Sequence, residues 1–414
     1  MPLDSLSFGQ GAMSPEDSPA LRRAPSLVRT FVRLASRNWG HGAFEVTLPG
    51  GETILIQGAE PGPTARLTVK NYRFVRRVMS SGAVGFGEGY MAGEWDTPDL
   101  SQLLQVLSHN FDRLQILVEG QPFMRLINGL THLGRRNTRA GSKRNIHAHY
   151  DLGEAFYGAW LDPSMTYSSA VFSSPSASLQ AAQEAKYAAL ARSIDIRPEH
   201  RVLEIGCGWG GFAEHVAGKV GARVTAITIS KAQHDYARKR MFEQGLADKA
   251  EILLTDYRDV RGQFDRVASI EMFEAVGEAY WPAYFDKVSE VLTPGGRAGL
   301  QIITIKDELF SHYRRHTDFI QKYVFPGGML PSESRLMQEI SRAGLTWQSA
   351  ARYGQDYAHT LAQWAARFQA AWRAITELGF DERFRRLWLF YLSYCEAGFR
   401  TGRTDVLQVS LAKS

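Results

Sequence analysis

From about Ala181 to Ile305 the chain alternates segments of helical spacing with short apolar runs: "QAAQEAKYAALARSI", "RVLEIG", "FAEHVAGKV", "RVTAITIS", "KAQHDYARKRMFEQG", "EILLTD", "FDRVASIE", "YFDKVSEVL" and "RAGLQIITI". Strands separated by helices imply right-handed βαβ crossovers, so this stretch is predicted to form a doubly wound, mostly parallel, Rossmann-like sheet of the α/β class. Such sheets bind ligands beyond the carboxyl ends of their strands, which directs attention to the turns after each run.

The rest of the chain divides around that sheet. With about 150 residues per domain as a loose prior, 414 residues make two to three domains. Residues 1–25, rich in Ser, Pro and Gly, read as a flexible leader. Residues 26–132 read as a smaller accessory N-terminal α+β domain. In it, Pro49-Gly50-Gly51 turns between two alternating runs, "AFEVTLPGGETILIQG", as in a hairpin. "YRFVRRVMSSGAVGFGEGYMAGEW" and "LSQLLQVLSHNFDRLQILVEG" then show helical spacing, separated by a glycine-rich stretch at Gly82, Gly85, Gly87 and Gly89. Residues 133–145, "LGRRNTRAGSKRN", are basic without an acid and read as a solvated linker or as a patch that touches anionic phospholipid. Residues 146–414 read as the catalytic domain. Its last third, from Asp307, is read as helical and aromatic, with Trp364, Phe368, Trp372, Trp388 and Phe390 serving core packing or an apolar channel.

Composition removes several classes. Two cysteines, Cys207 and Cys395, exclude a disulfide framework and a multi-Cys zinc site, so no metal is expected. The sequence has no uncharged apolar run of about 18 residues and no apolar block behind a basic N-terminus, so neither a membrane span nor a secretory signal is expected. A cytoplasmic protein follows from that reading, and a net charge of +5 suits contact with anionic surfaces.

"VLEIGCGWGGFAEHV" places Glu204, Gly206, Gly208, Gly210 and Gly211 where a strand meets a helix, and glycine lets the backbone approach a ligand without a Cβ in the way. Gly206, Gly208 and Gly211 also satisfy the dinucleotide pattern G-x-G-x-x-G, but that pattern needs an acid about 20 residues on, and "RVTAITIS" ends without one. A strand carrying Glu two residues before Gly-x-Gly-x-Gly instead resembles the first motif of Class I S-adenosylmethionine methyltransferases. Asp256 then stands where an acid meets the adenine side of that cofactor.

Further segments resemble one branch of those enzymes, the cyclopropane-fatty-acyl-phospholipid synthases and the related mycolic acid cyclopropane synthases. They are "HYDLGEAFYGAWLDPSMTYSSAVF", "LEIGCGWGGFAEHVA", "AITISKAQHDYARKR", "MFEAVGEAYWPAYF", "YVFPGGMLPS" and "YCEAGFRTG", in one consistent order from His149 to the C-terminus. Gly42 to Gly120 is similar to the accessory domain of the phospholipid-acting members. The resemblance implies transfer of a methylene (methyl) group from S-adenosylmethionine to the cis double bond of phospholipid acyl chains, closing a cyclopropane ring. The alternative is a methyl-branched chain. It also implies peripheral docking on the inner membrane face, a homodimer, and no nucleic-acid partner. The cofactor would be held by Tyr167, Ser168, Gly206, Gly208, Thr228, Ile229, Gln233, Asp256, Tyr257 and Ile270, with Gln233 on the ribose hydroxyls in place of the missing acid.

A double bond is a poor nucleophile, so the sulfonium must be held dry and in line with it, and the carbocation that follows needs aromatic faces such as Tyr167, Phe273 and Tyr357. A base must then remove a proton. In the family that base is a bound bicarbonate ion. Tyr150, Glu274 and Tyr357 match its cradle, with the backbone near Ile305 as a fourth contributor. Ser169 replaces the family's usual Cys and can still hydrogen-bond. Ile303 replaces the usual His and cannot, so the anion loses a polar partner unless Gln301 supplies one. Ala275 replaces a further His. These departures fall on proton removal and leave methyl transfer intact. Rival readings are a small-molecule methyltransferase, which needs no long apolar helices, and a non-enzymatic lipid- or nucleic-acid-binding protein, which would not need Gly206, Gly208 and Gln233. A nicotinamide oxidoreductase is the third, and cofactor titration separates it.

Overall fold

The computed structural model describes residues 14–114 and 152–414, so the basic stretch 133–145 and Tyr150 lie outside the described residues. The chain separates into two compact units: Met1–Asn128 with Asp381–Thr401, and Gly129–Phe380 with Gly402–Ser414. Asp381–Thr401, which the sequence placed in the catalytic domain, therefore groups with the smaller unit.

In that smaller unit, β1 (His41–Thr47) and β2 (Thr53–Gln57) form the expected antiparallel hairpin. β3 (Glu60–Val69) runs parallel to β1, and β4 (Trp95–Asp96) closes the sheet in the order β2-β1-β3-β4. The glycine-rich stretch does not separate two distant helices. Arg73–Met91 folds back on itself at Gly82, whose φ of 57° and ψ of −133° only glycine adopts without strain. A Cβ on Gly85 would stand 2.0 Å from the carbonyl oxygen of Arg77, so the returning half packs directly on the outgoing backbone. The helix Glu382–Arg400 supplies aromatic rings to this unit: Phe390 lies 6.4 Å from Phe86 and 6.0 Å from Tyr90, centroid to centroid. Arg386 of the same helix donates to Asp96 at 3.2 Å. These late aromatics therefore serve core packing here. Part of the leader is also folded, since Ser18 caps a helix at Pro19–Arg23 and Leu21 is buried.

The larger unit carries the predicted sheet. β5 (Arg201–Ile205), β6 (Arg223–Thr228), β7 (Ala250–Leu254), β8 (Phe264–Ile270) and β9 (Leu292–Ile305) are parallel neighbours. One departure is that the last third is not all helical. β10 (Leu345–Arg352) and β11 (Thr404–Lys413) extend the sheet, giving the order β10-β11-β9-β8-β5-β6-β7 with β11 reversed. β11 is buried on both faces, so "VLQVSLA" shows no clean alternation, and a short apolar run of that kind does not separate strand from helix. Its buried polar residues are bonded: Gln408 donates to Gln301 at 3.0 Å and Ser410 to the carbonyl of Ser193 at 3.1 Å.

Helices cover both faces. Tyr187 and Leu190 of Leu179–Ser193 pack with Phe212 and Val216 on one side, while Trp281, Phe285 and Val288 of Trp281–Val291 fill the other. Strand order reverses between β5 and β8, with β6 and β7 to one side and β9 to the other. A crevice at the carboxyl ends of β5 and β8 is the expected ligand position, and Gly206 and Glu271 stand at those two ends.

Candidate active site

The turn after β5 passes through Gly206, Gly208 and Gly210, with φ of 84°, 51° and 84°, a backbone region in which a side chain would be strained. The N–H groups of Gly206 and Cys207 both donate to the carbonyl of Ile227 in β6, at 3.0 and 2.9 Å, which pins the turn to the sheet. A Cβ on Gly206 would meet Met272 Cγ at 2.6 Å, whereas nothing lies within 4 Å of the corresponding point on Gly208. That open space above the loop fits a ligand lying against the backbone.

After β6, Ser230 caps the helix Lys231–Glu243, and Thr228 Oγ1 donates to Gln233 Oε1 at 3.0 Å. The bond holds the Gln233 carboxamide by its oxygen, and its two N–H donors are of a kind that suits ribose hydroxyls. Ile229 is half-buried between them. Asp256 is not an open acid: Arg258 clasps both its oxygens, at 2.8 and 2.6 Å, so it shapes the turn that presents half-buried Tyr257. Ile270 ends β8 beside this group. Tyr167 is ringed by Tyr157, Trp160 and Trp364 at centroid distances of 5.3, 5.7 and 5.2 Å. Ser168 is buried and accepts a hydrogen bond from Lys186 Nζ at 2.6 Å. Gly206, Thr228 and Ile270 thus stand at the carboxyl ends of β5, β6 and β8, with Asp256 and Tyr257 just after β7, and the open backbone at Gly208 fits S-adenosylmethionine.

Beside it lies a cluster centred on a residue the sequence reading missed. Glu271 has a φ of 49°, unusual for a residue with a side chain and of the kind held in place by its surroundings. Its Oε1 accepts from the N–H of Ser169 and from Gln301 Nε2, both at 2.7 Å, and its Oε2 accepts from the hydroxyl of Tyr357, also at 2.7 Å. Gln301 is held in turn by Gln408. Glu274 lies one short turn further on. Its Oε1 accepts from the N–H of Ile303 at 2.5 Å, and its buried Oε2 has no partner among the described residues.

Lys186 is the second residue missed. It is 0% exposed and is surrounded by the charges of Glu271, Asp162 and Glu204. Burial pushes its ammonium down to about 7, against the pull of those acids. Burial likewise pushes Glu204 up to about 8 with Lys186 opposing, and pushes Glu274 up to about 8 with the neighbouring Glu271 adding to the rise. Burial raises Glu271 too, with its three hydrogen-bond donors and Lys186 opposing the rise.

Other expectations need correction. Phe273 is 1% exposed and stacks in the core against Trp281, Tyr284 and Phe285, so it presents no face to a ligand. The backbone N–H of Ile305 is taken by the carbonyl of Pro331 at 3.0 Å. Trp364, by contrast, stands between Tyr167 and Tyr357, 6.1 Å from the latter, as part of an aromatic wall. Signals for the missed residues existed. Lys186 sits on the same helical face as Ala182 and Leu190, and a charge on an apolar face is anomalous. Glu271 is an acid immediately after a strand at the point where strand order reverses.

Residues 137–409 match the family model described as mycolic acid cyclopropane synthetase. The chain belongs to the cyclopropane synthase family. It is an S-adenosylmethionine-dependent methyltransferase of Class I that acts on lipid acyl chains. Among its relatives, the tuberculostearic acid methyltransferase of Mycobacterium tuberculosis is 39% identical, covering 100% of this chain and 99% of the relative. The cyclopropane-fatty-acyl-phospholipid synthase of Escherichia coli is 34% identical over 92% of this chain and 95% of its own length. A crystal structure of a mycolic acid cyclopropane synthase complexed with SAH and CTAB matches with a TM-score of 0.62 and 30% identity, covering 66% of this chain and 98% of that one.

Proposed function

We propose that this methyltransferase acts on the cis double bond of unsaturated acyl chains in membrane phospholipid and yields a methyl-branched chain. When bound, S-adenosylmethionine supplies an electrophilic methyl group on a sulfonium centre. Tyr167, Ser168, Gly206, Gly208, Thr228, Ile229, Gln233, Tyr257 and Ile270 are the residues proposed to hold it, with Asp256 acting through Arg258. Trp160, Trp364 and Tyr167 exclude water from the reacting atoms, and the faces of Tyr167 and Tyr357 stabilise positive charge developing on the chain. Tyr150 and Ser169 belong to the same side of the site by resemblance, although the Ser169 hydroxyl that replaces the family's Cys donates to the carbonyl of Ala170 and it is the backbone N–H that donates to Glu271.

The observation that carries the reading is the Glu271 cluster. A second carboxylate beside Glu274, held by Ser169, Gln301 and Tyr357 in addition to the cradle residues that the resemblance names, supports a different acceptor for the proton that the cation must lose. Which proton leaves depends on where the acceptor stands, and Ile303 removes a polar contact from the arrangement associated with ring closure. The phospholipid substrate is supported by the name of the Escherichia coli relative, and the branched product by that of the methyltransferase from Mycobacterium tuberculosis. Ring closure is the second reading, favoured by the family model.

The test incubates the purified chain with vesicles of dioleoyl phosphatidylglycerol and S-adenosylmethionine carrying a radiolabelled methyl group. Label is expected in the fatty acids released from the lipid. Label confined to the head group, or absent from lipid altogether, would overturn the assignment. Among the described residues no helix is long and apolar enough to cross a membrane, so docking on the vesicle surface is the proposed route to the chain.

A further inference from the structure

We propose that the carboxylate of Glu271 stands in place of bicarbonate in this enzyme and itself removes the proton from the methylated chain. The proposal rests on the acyl-chain reading above. An added anion would need donors in the cradle, and those among the described residues are already committed. The N–H of Ser169, the carboxamide of Gln301 and the hydroxyl of Tyr357 all point to Glu271 at 2.7 Å. Ile303 offers its N–H to Glu274, and its side chain has no polar atom to offer an anion. A bicarbonate ion here would also stand against the Glu271 carboxyl with Ser169 N–H, Gln301 and Tyr357 already bonded to it, so among the described residues the cradle does not fit that ion.

What they fit is one resident carboxylate. Three donors aimed at two oxygens favour the carboxylate form of Glu271 against the rise that burial causes, and Lys186 adds to their pull. Glu271 is only half-buried, so part of it stays open to the site. In the step, a C–H bond next to the cationic carbon breaks. Its electron pair forms the new carbon–carbon π bond, and the proton moves to a carboxylate oxygen of Glu271. The carboxylic acid returns that proton to water when the product leaves.

The test uses the whole chain, the same vesicles and CO2-free buffer, with and without added sodium bicarbonate. Wild-type turnover is expected to be the same in both. Glu271→Gln and Glu271→Ala should each lower kcat about 100-fold, and bicarbonate or formate should restore at least part of the activity to Glu271→Ala alone, which opens a space for a free carboxylate. SAH titration by calorimetry checks that each variant is folded. If Glu271→Ala does not fold, the isosteric Gln variant and the wild-type response decide. Wild-type activity that collapses without bicarbonate and saturates with it would overturn the proposal while leaving acyl-chain methylation standing. A Glu271→Gln enzyme with unchanged kcat would overturn it as well. No lipid label in any buffer would defeat the underlying reading, and the proposal with it.

Discussion

Replacing Lys186 with methionine is expected to lower the unfolding free energy by about 3 kcal/mol, because removing one partner from a buried charge cluster leaves the others uncompensated. Lys186 is 0% exposed, donates to Ser168 at 2.6 Å, and lies 4.4 Å over the ring of Tyr187. Methionine fills the same volume, so lost packing would not account for a large effect. Glu271, Glu204 and Asp162 would lose the cation that faces them. Urea unfolding of both proteins, followed by near-ultraviolet circular dichroism, measures the difference. SAH affinity should fall as well, since Ser168 loses the bond that places it. A midpoint within error of wild type would mean that Lys186 is neutral in the folded protein and contributes only its stem.

The second large effect concerns pH. Glu274 is held near 8 in the folded chain against about 4.5 when unfolded. A group whose folded value is raised keeps its proton in the native state while the unfolded state has released it, so stability falls as pH rises through that window. The slope is about 1.4 kcal/mol per pH unit for one such group. Glu204 contributes in the same direction. Lys186 opposes above about pH 7, since its folded value lies below that of the unfolded chain. Glu274→Gln is uncharged at every pH and its side-chain oxygen can still accept from the N–H of Ile303. Its Tm is therefore expected to match wild type near pH 5 and to exceed it progressively towards pH 8. Turnover should fall about tenfold or more, because a carboxamide cannot give up or take back the proton that Glu274 holds at the edge of the site. A Tm difference independent of pH would show that Glu274 does not carry a proton in the native state.

Much of the larger unit is legible in the sequence, because alternating periodicity is a property of each segment and does not depend on its neighbours. β5 to β9 and the helices between them follow from it, and so does the glycine turn at Gly206. What escapes depends on tertiary surroundings. β11 is buried on both faces, so its pattern resembles a helix segment, and only its two strand neighbours make its polar residues tolerable. The helix Glu382–Arg400 carries aromatics that fit a channel or a core equally well, and its spacing does not say which unit receives it. Motif resemblance gives Gln233, Tyr357 and Glu274 but passes over Glu271, since that position becomes meaningful only when Ser169, Gln301 and Tyr357 arrive from three distant segments. Asp256 shows the converse: the motif marks it as open to a ligand, and Arg258, two residues away, claims it.

The central claim, methyl transfer to an acyl double bond without ring closure, is tested most directly by NMR of phospholipid treated with the purified chain and S-adenosylmethionine carrying a 13C-labelled methyl group. The label is expected as a methyl carbon on or beside the new double bond of the chain. A label found in the upfield signals of a cyclopropane ring would contradict it, and would mean that Glu271 supports ring closure in the altered cradle.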